Sequence, residues 1–310
     1  MIGVDNYSSF GGKHVESAAL KNILAHCQID NPHTGEPFSE ALCFGIAGGI
    51  GIGYSFCPSV LRHGVGSGVG IVGRHRIYAT QPTWYQGFCD RLGLKTHVTE
   101  TSAKGKAYKN LVSELAEGKP TVVWCGSTDL SYLGNPLESC GLYMHTFVIY
   151  GVDEEQGLAY GMDRAPASVS LTLEEIAQAR NRVCARKNGT LNITTAKWIK
   201  KKNLKEATLS GIRECLEDLI LNPKMKTFSL SGLETWAKMI CNDSNKEGWG
   251  KVFDKGWMYC ALRDVYSSIE TGGTGGGLYR PMYADFLNEA AEITGKPALN
   301  EVAEVYDELG

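Results

Sequence analysis

No two of the ten cysteines, at positions 27, 43, 57, 89, 125, 140, 184, 215, 241 and 260, are spaced CxxC. This excludes the common zinc and thioredoxin-type motifs. A chain of this length without a secretion signal is not read as a disulfide scaffold, so the thiols are expected mostly as small buried hydrophobes. No metal site is expected. Charge of either sign is also nearly balanced, with 31 basic against 34 acidic residues and a net charge of -3. Electrostatics therefore give no case for nucleic acid or an anionic membrane as partner. No apolar run approaches the roughly 20 residues of a spanning helix. The opening "MIGVDNYSSFGG" lacks the basic-then-apolar order of a signal peptide, and a cytoplasmic protein is expected. No internal repeat is visible. The glycines at 45, 48, 49, 51 and 53 follow no strand, and no acidic residue stands where a ribose needs one, which argues against a dinucleotide fingerprint.

What is present fits a globular chain, at 43% hydrophobic and 21% charged residues over 310 positions, enough for one large or two ordinary domains. Residues 15–28 carry an apolar stripe of helical period through Ala18, Ala19, Ile23 and Cys27. Ser39, with Leu42 three residues on, opens "SEALCFGIAGGIGIGYSF", whose interior glycines disfavour a solvent helix and point to close backbone packing or a tight loop at a pocket. "LRHGVGSGVGIVGRHR", residues 61–76, reads as a mobile surface segment next to a site. Helices are predicted over 84–94 and 105–117, the latter stopped by Gly118 and Pro120, and strands at "KTHVTET" and "PTVVWCG". "MHTFVIYGVDEEQGLAYGMD" reads as a hairpin turning at Gly157. Thr172 or Ser170 caps the next helix, with Glu174 and Glu175 in its first turn, and "GTLNITT" follows as a strand. The lysine cluster at 197–205 reads as a surface linker. Beyond it, 208–220, 230–241, 256–270 and 283–294 have amphipathic helical patterns. The expected division lies near residue 200, between a mixed α/β domain and an all-helical one.

The hairpin makes a chemical point. His145 starts its outgoing strand and Asp163 ends the returning one, so the antiparallel pairing brings them together. A carboxylate there orients the imidazole and leaves its other nitrogen as a base. Equally, His145 can simply begin a strand and Asp163 a turn. The glycine run 272–281, with Gly272, Gly273, Gly276 and Arg280, reads first as an interhelical turn. The alternative is a cradle of backbone N–H groups for a phosphate, with Arg280 adding a charged contact.

The stretches "GGKHVESAALKNIL", "SEALCFGIAGGIGIGY", "HTFVIYGVD" and "DRAPASVSLTLEEIAQAR" resemble the N-terminal domain of the butirosin biosynthesis protein H family. "GIRECLEDLI", "FSLSGLETWAKMI" and above all "GGTGGGLYRPMYADFLNEAAEITGKPALNEVAEVYDELG" resemble the helical domain that follows it in many relatives. The resemblance covers nearly the whole chain. It implies an α+β, papain-like cysteine-enzyme fold over 1–200, its N-terminal helix packed on an antiparallel sheet, then an all-α domain over 201–310 that in relatives usually runs on further.

It also implies amide-forming acyl transfer, from a thioester on an acyl carrier protein to a small-molecule amine. No cofactor is implied beyond the phosphopantetheine of the carrier, and no nucleic acid or membrane; a homodimer is left open. Carried over residue by residue, His145 matches the family's histidine, Asp163 its acid, and His14 the residue before the nucleophile. His14 is open to two roles, an oxyanion donor or a hydrogen bond to the preceding turn.

The departure is Val15, where the family pattern has cysteine. Valine cannot attack, donate or ionise. Either the cysteine has been exchanged, or Ser17 or Cys43 has taken over, or the protein is a binding relative that keeps the cleft. Ser17 lies about 200° around the helix from residue 15, and Cys43 reads as a core thiol, so a lost or replaced nucleophile is favoured over a relocated one. A cysteine hydrolase or amidase on the same fold is the third reading, because water and amine compete for one acyl-enzyme.

Overall fold

The computed structural model describes every residue except 65, 75–82, 134–143, 184, 194–198 and 243. In chain order its elements are β1 (Ile2–Gly3), α1 (Val15–His26), α2 (Glu40–Ile46), β2 (Ile50–Phe56), α3 (Pro58–Arg62), β3 (Val69–Arg74), α4 (Trp84–Leu92), β4 (Thr96–Thr99), α5 (Lys104–Ala116), β5 (Thr121–Gly126), β6 (Met144–Asp153), β7 (Leu158–Met162), β8 (Ser168–Thr172), α6 (Leu173–Arg182) and β9 (Thr190–Ile193). The helical C-terminal region follows, with α7 (Lys201–Leu216), α8 (Leu230–Cys241), α9 (Trp249–Val252), α10 (Lys255–Tyr266), α11 (Arg280–Thr294) and α12 (Ala298–Glu308). The fold is mixed α/β with an antiparallel sheet. Among the described residues, no helix is long and apolar enough to cross a membrane.

The chain forms two compact units, Met1–Cys43 with Tyr78–Ala207, and Phe44–Ile77 with Thr208–Gly310. The first holds a sheet in the order β4-β9-β5-β6-β7-β8, with β1 added along β6. The central strand β6 is apolar on both faces: Phe147, Val148, Ile149 and Val152 are all essentially inaccessible. Such a run matches a strand covered on both sides. Helix α1 packs on β6, and α5 and α6 pack on β5. Leu20, Ile23 and Leu24 of α1 are buried completely, so α1 is a core helix. Local caps bound the helices. Thr83 and Gln86 form a capping box on α4, Gly93 ends it in the left-handed region, and Thr172, paired with Glu175, caps α6.

The second unit contains the antiparallel pair β2–β3, with α8 on β2 and α10 on β3. Helices α11 and α12 pack on each other across the turn at Gly295. The glycine-rich run that begins at Ser39 becomes the short helix α2 and then β2. Close packing explains one glycine directly: a Cβ on Gly45 would stand 2.1 Å from the Phe286 ring.

Three expectations are corrected, and one helix is added. Residues 69–74 form β3, not a mobile segment, because Val69 and Ile71 are buried in the pairing with β2; residues 75–76 lie outside the described positions. Lys201, Lys202 and Lys205 belong to α7 and not to a linker, since Leu204 and Ala207 bury its other side; residues 197–198 are outside the described positions. Helix α12 was not anticipated as a separate element. The unit containing residues 208–310 also takes in 44–77, so it carries a two-stranded sheet, and the chain does not divide as two consecutive stretches at 200.

Candidate active site

Helix α1 begins at Val15, the position the sequence singles out, and that residue is partly exposed. His14 is the N-cap. Its Nδ1 accepts from Ser17 N–H at 3.4 Å and lies 3.1 Å from Ser17 Oγ. The ring therefore bonds forward into the first turn of α1, with Nε2 3.6 Å from Glu16. Glu40, the first residue of α2, clamps this corner from the other side. Its carboxylate accepts from Lys13 N–H at 3.0 and 2.9 Å, from His14 N–H at 2.8 Å and from Ser17 Oγ at 2.9 Å. Ser17 is thus spent on Glu40 and wholly buried. Gly12 donates its N–H to Arg164 O at 2.8 Å. A Cβ there would stand 2.3 Å from Ala18 Cβ, so only glycine lets the loop pass this close to α1.

That bond ties the start of α1 to the turn holding Asp163. Asp163 Oδ2 lies 2.8 Å from His145 Nε2. Both side chains are 8% exposed. The register explains the meeting. Near the hairpin turn Gly151 pairs with Tyr160, but further on Ile149 pairs with Gly161 and Val148 with Met162, leaving Tyr150 as the extra residue of a β-bulge. Continuing that shifted register puts Asp163 opposite Phe147, on the face shared by His145. The turn-end register alone would set Asp163 opposite Val148, on the other face.

Burial raises the Asp163 pKa, but the hydrogen bond and charge of His145, with the charge of Arg164, outweigh it and hold the carboxyl below its ordinary value. Arg164 Nε is 3.9 Å from Oδ1. An ionised carboxylate only accepts, so Nε2 carries the ring proton, and the lone pair of the neutral imidazole sits on Nδ1. Tyr132, in the turn after β5, donates from its hydroxyl to Asp163 Oδ2 at 3.0 Å and lies 3.3 Å from His145 Nε2. Burial, then the Asp163 charge, raise its pKa, so the phenol keeps its proton.

Sequence reasoning missed Glu40, Tyr132 and Cys125. Glu40 stood inside a quoted motif but was read only for its glycines. Tyr132 lies in no motif. Cys125 pairs directly with His145 across β5 and β6, which places both on one face. It is fully buried, and burial pushes its thiol up to about 12 despite Arg180. Such a thiol is inert, and Cys43 is buried in the same way.

The glycine run lies in the second unit. There Gly272 N–H donates to Ser267 O, Gly276 N–H to Thr274 Oγ1 and Gly277 N–H to Glu270, while Arg280 donates to Gly277 O. Gly273 takes φ 84 within the same turn. These donors are used by the turn itself. Among the described residues, no cluster of His, Cys, Asp or Glu could hold a metal ion.

The family described as "Butirosin biosynthesis protein H, N-terminal" matches residues 14–164, from the cap of α1 to the residue after Asp163. "Domain of unknown function (DUF4872)" matches 173–310. The two matches, in this order, are consistent with a butirosin biosynthesis protein H-like family. The family's name points to an enzyme of natural-product biosynthesis. No curated protein matches the chain. In this chain the two matched stretches follow each other with only residues 165–172 between them, within β8 and the turn before it.

Proposed function

We propose that the chain is an amide-forming acyltransferase of the papain-like type, acting between a carrier-protein thioester and a small amine in the cytoplasm. Its base is His145, oriented by Asp163, and its acyl-accepting position is residue 15, occupied here by valine. One observation carries this reading: the loop leading into α1 is bonded through Gly12 to Arg164, beside a buried His–Asp dyad. A helix N-terminus next to such a dyad suits a thiolate nucleophile. With cysteine at 15 and its proton on His145 Nδ1, the thiolate attacks the thioester carbonyl, and the phosphopantetheine sulfur leaves as a thiol by taking that proton. The amine then attacks the acyl-enzyme, its proton passes to His145 Nδ1, and the cysteine thiolate is released beside it. The chain itself needs no cofactor in this scheme.

Val15→Cys tests the proposal. Incubated with an acyl-loaded carrier protein, this variant gains the mass of the acyl group at residue 15, and added amine removes it as the amide. Absence of an acyl-enzyme with every carrier thioester offered counts against the reading. Release of free acid in place of amide makes the protein a hydrolase.

Val15 itself favours a second reading, a binding relative that holds a carrier protein or small ligand without transferring anything. Under that reading the native chain binds the loaded carrier in titration calorimetry while leaving its thioester intact.

A further inference from the structure

We propose that Tyr132 is a positioning residue of the His145–Asp163 dyad: its hydroxyl donates to the same carboxylate oxygen that receives the imidazole and so holds that carboxylate ionised and aimed at Nε2. The inference rests on the acyl-transfer reading for its meaning, but not for its test.

Three atoms define the arrangement. Asp163 Oδ2 is 2.8 Å from His145 Nε2 and 3.0 Å from Tyr132 Oη, and the two donors are 3.3 Å apart. One oxygen therefore takes both protons. The imidazole alone could swing about its Cβ–Cγ bond while keeping a single hydrogen bond. A second donor on the same oxygen fixes the carboxylate plane, and with it the direction in which Nδ1 faces. The Tyr132 ring is held in turn, edge-on to His145 at 6.4 Å and to Phe147 at 6.0 Å between centroids. Among the described residues, the charged and titratable groups around the carboxylate are His145 on β6, Arg164 in the next turn, Tyr132 itself, and the Cys125 thiol on β5, which acts on Tyr132. Arg164 is 3.9 Å away at the other oxygen. His145 and Tyr132 both hydrogen-bond Oδ2, and a backbone hydrogen bond from Arg164 also helps hold the carboxyl down. Donation to the ionised form lowers a carboxyl's pKa; two or three such bonds are worth about two units, so one is worth roughly one.

Tyr132→Phe separates this role from packing, since it keeps the ring and removes only the hydroxyl. In the native Val15 chain carrying [13Cγ]aspartate, the NMR titration midpoint of Asp163 rises by roughly one pH unit in Tyr132→Phe. Site-specific difluorotyrosine at 132, a stronger donor, moves it the other way. An unchanged midpoint in both overturns the proposal and leaves Tyr132 as packing. In the Val15→Cys background, the acid limb of acyl transfer moves up with the midpoint in Tyr132→Phe, and kcat falls several-fold with little change in KM. If Val15→Cys transfers no acyl group yet the Asp163 midpoint still shifts, the function reading fails and the Tyr132 assignment stands.

Discussion

The backbone N–H of Gly12 donates to the carbonyl oxygen of Arg164 at 2.8 Å, so the loop entering α1 and the turn after β7 are joined one residue from Asp163. The bond needs glycine at 12, where a side chain would collide with Ala18. Gly12→Ala therefore forces the loop off α1. It costs on the order of 1–3 kcal/mol of stability by overpacking, measured by urea unfolding. In the Val15→Cys background it also slows acylation. A variant as stable and as active as its parent removes this bond from the account of the site.

The dyad has a directional chemistry. In the Val15→Cys chain, His145→Ala lowers the amide-forming step by roughly 10²–10⁴-fold, the usual contribution of a general base. Asp163→Asn lowers it comparably for a different reason. An amide N–H facing Nε2 drives the ring proton to Nδ1, which then has no lone pair for the amine. Single-turnover decay of the acyl-enzyme reads both. Full activity in Asp163→Asn would remove Asp163 from the mechanism.

Asp163 also shapes acid stability. Its pKa is lower in the folded chain than in the unfolded one, where an ordinary aspartate titrates near 3.9. Its contribution is therefore complete above that ordinary value and disappears as the pH falls through the lower folded value. Asp163→Asn is less stable than the parent at pH 7, and it loses less stability between about pH 5 and pH 3. Urea midpoints at the two pH values decide the matter.

Glu40 is a structural clamp. Its carboxylate gathers two backbone N–H groups and the Ser17 hydroxyl around the first turn of α1. Glu40→Gln keeps the shape but removes the charge and one acceptor, so Lys13 N–H loses one of its two oxygens and the bonds to the other are no longer charge-assisted. The expected cost is about 1–3 kcal/mol, seen as a lower urea midpoint.

Thiol chemistry should follow surroundings. Hydrogen bonds from the Ser59 hydroxyl and the Val60 N–H lower the Cys57 pKa, while burial raises Cys125 to about 12 and Cys215 to about 11. Iodoacetamide at pH 8 labels Cys57 at least about tenfold faster than either buried thiol, as read by peptide mass spectrometry. Of the eight described cysteines four are buried, so the expectation of buried thiols holds for Cys43, Cys89, Cys125 and Cys215 and not for the exposed Cys241; Cys140 and Cys184 lie outside the described positions.

Local chemistry wrote much of this protein into its sequence. The caps at Thr83 and Thr172, the stop at Gly93, the hairpin over 144–162 and the start of α1 at Val15 depend on residues within a few positions of one another. The candidate dyad was readable for the same reason, since a hairpin brings its own ends together. The rest was set by partners distant in the chain. The bulge at Tyr150 puts Asp163 on the His145 face, yet no local pattern announces an extra residue in an apolar strand. Glu40 reaches α1 across 26 residues, Tyr132 reaches Asp163 across 31, and residues 44–77 pack with a stretch that begins at 208. Such contacts arise only when separate segments bury their apolar surfaces together, a property of the folded chain as a whole.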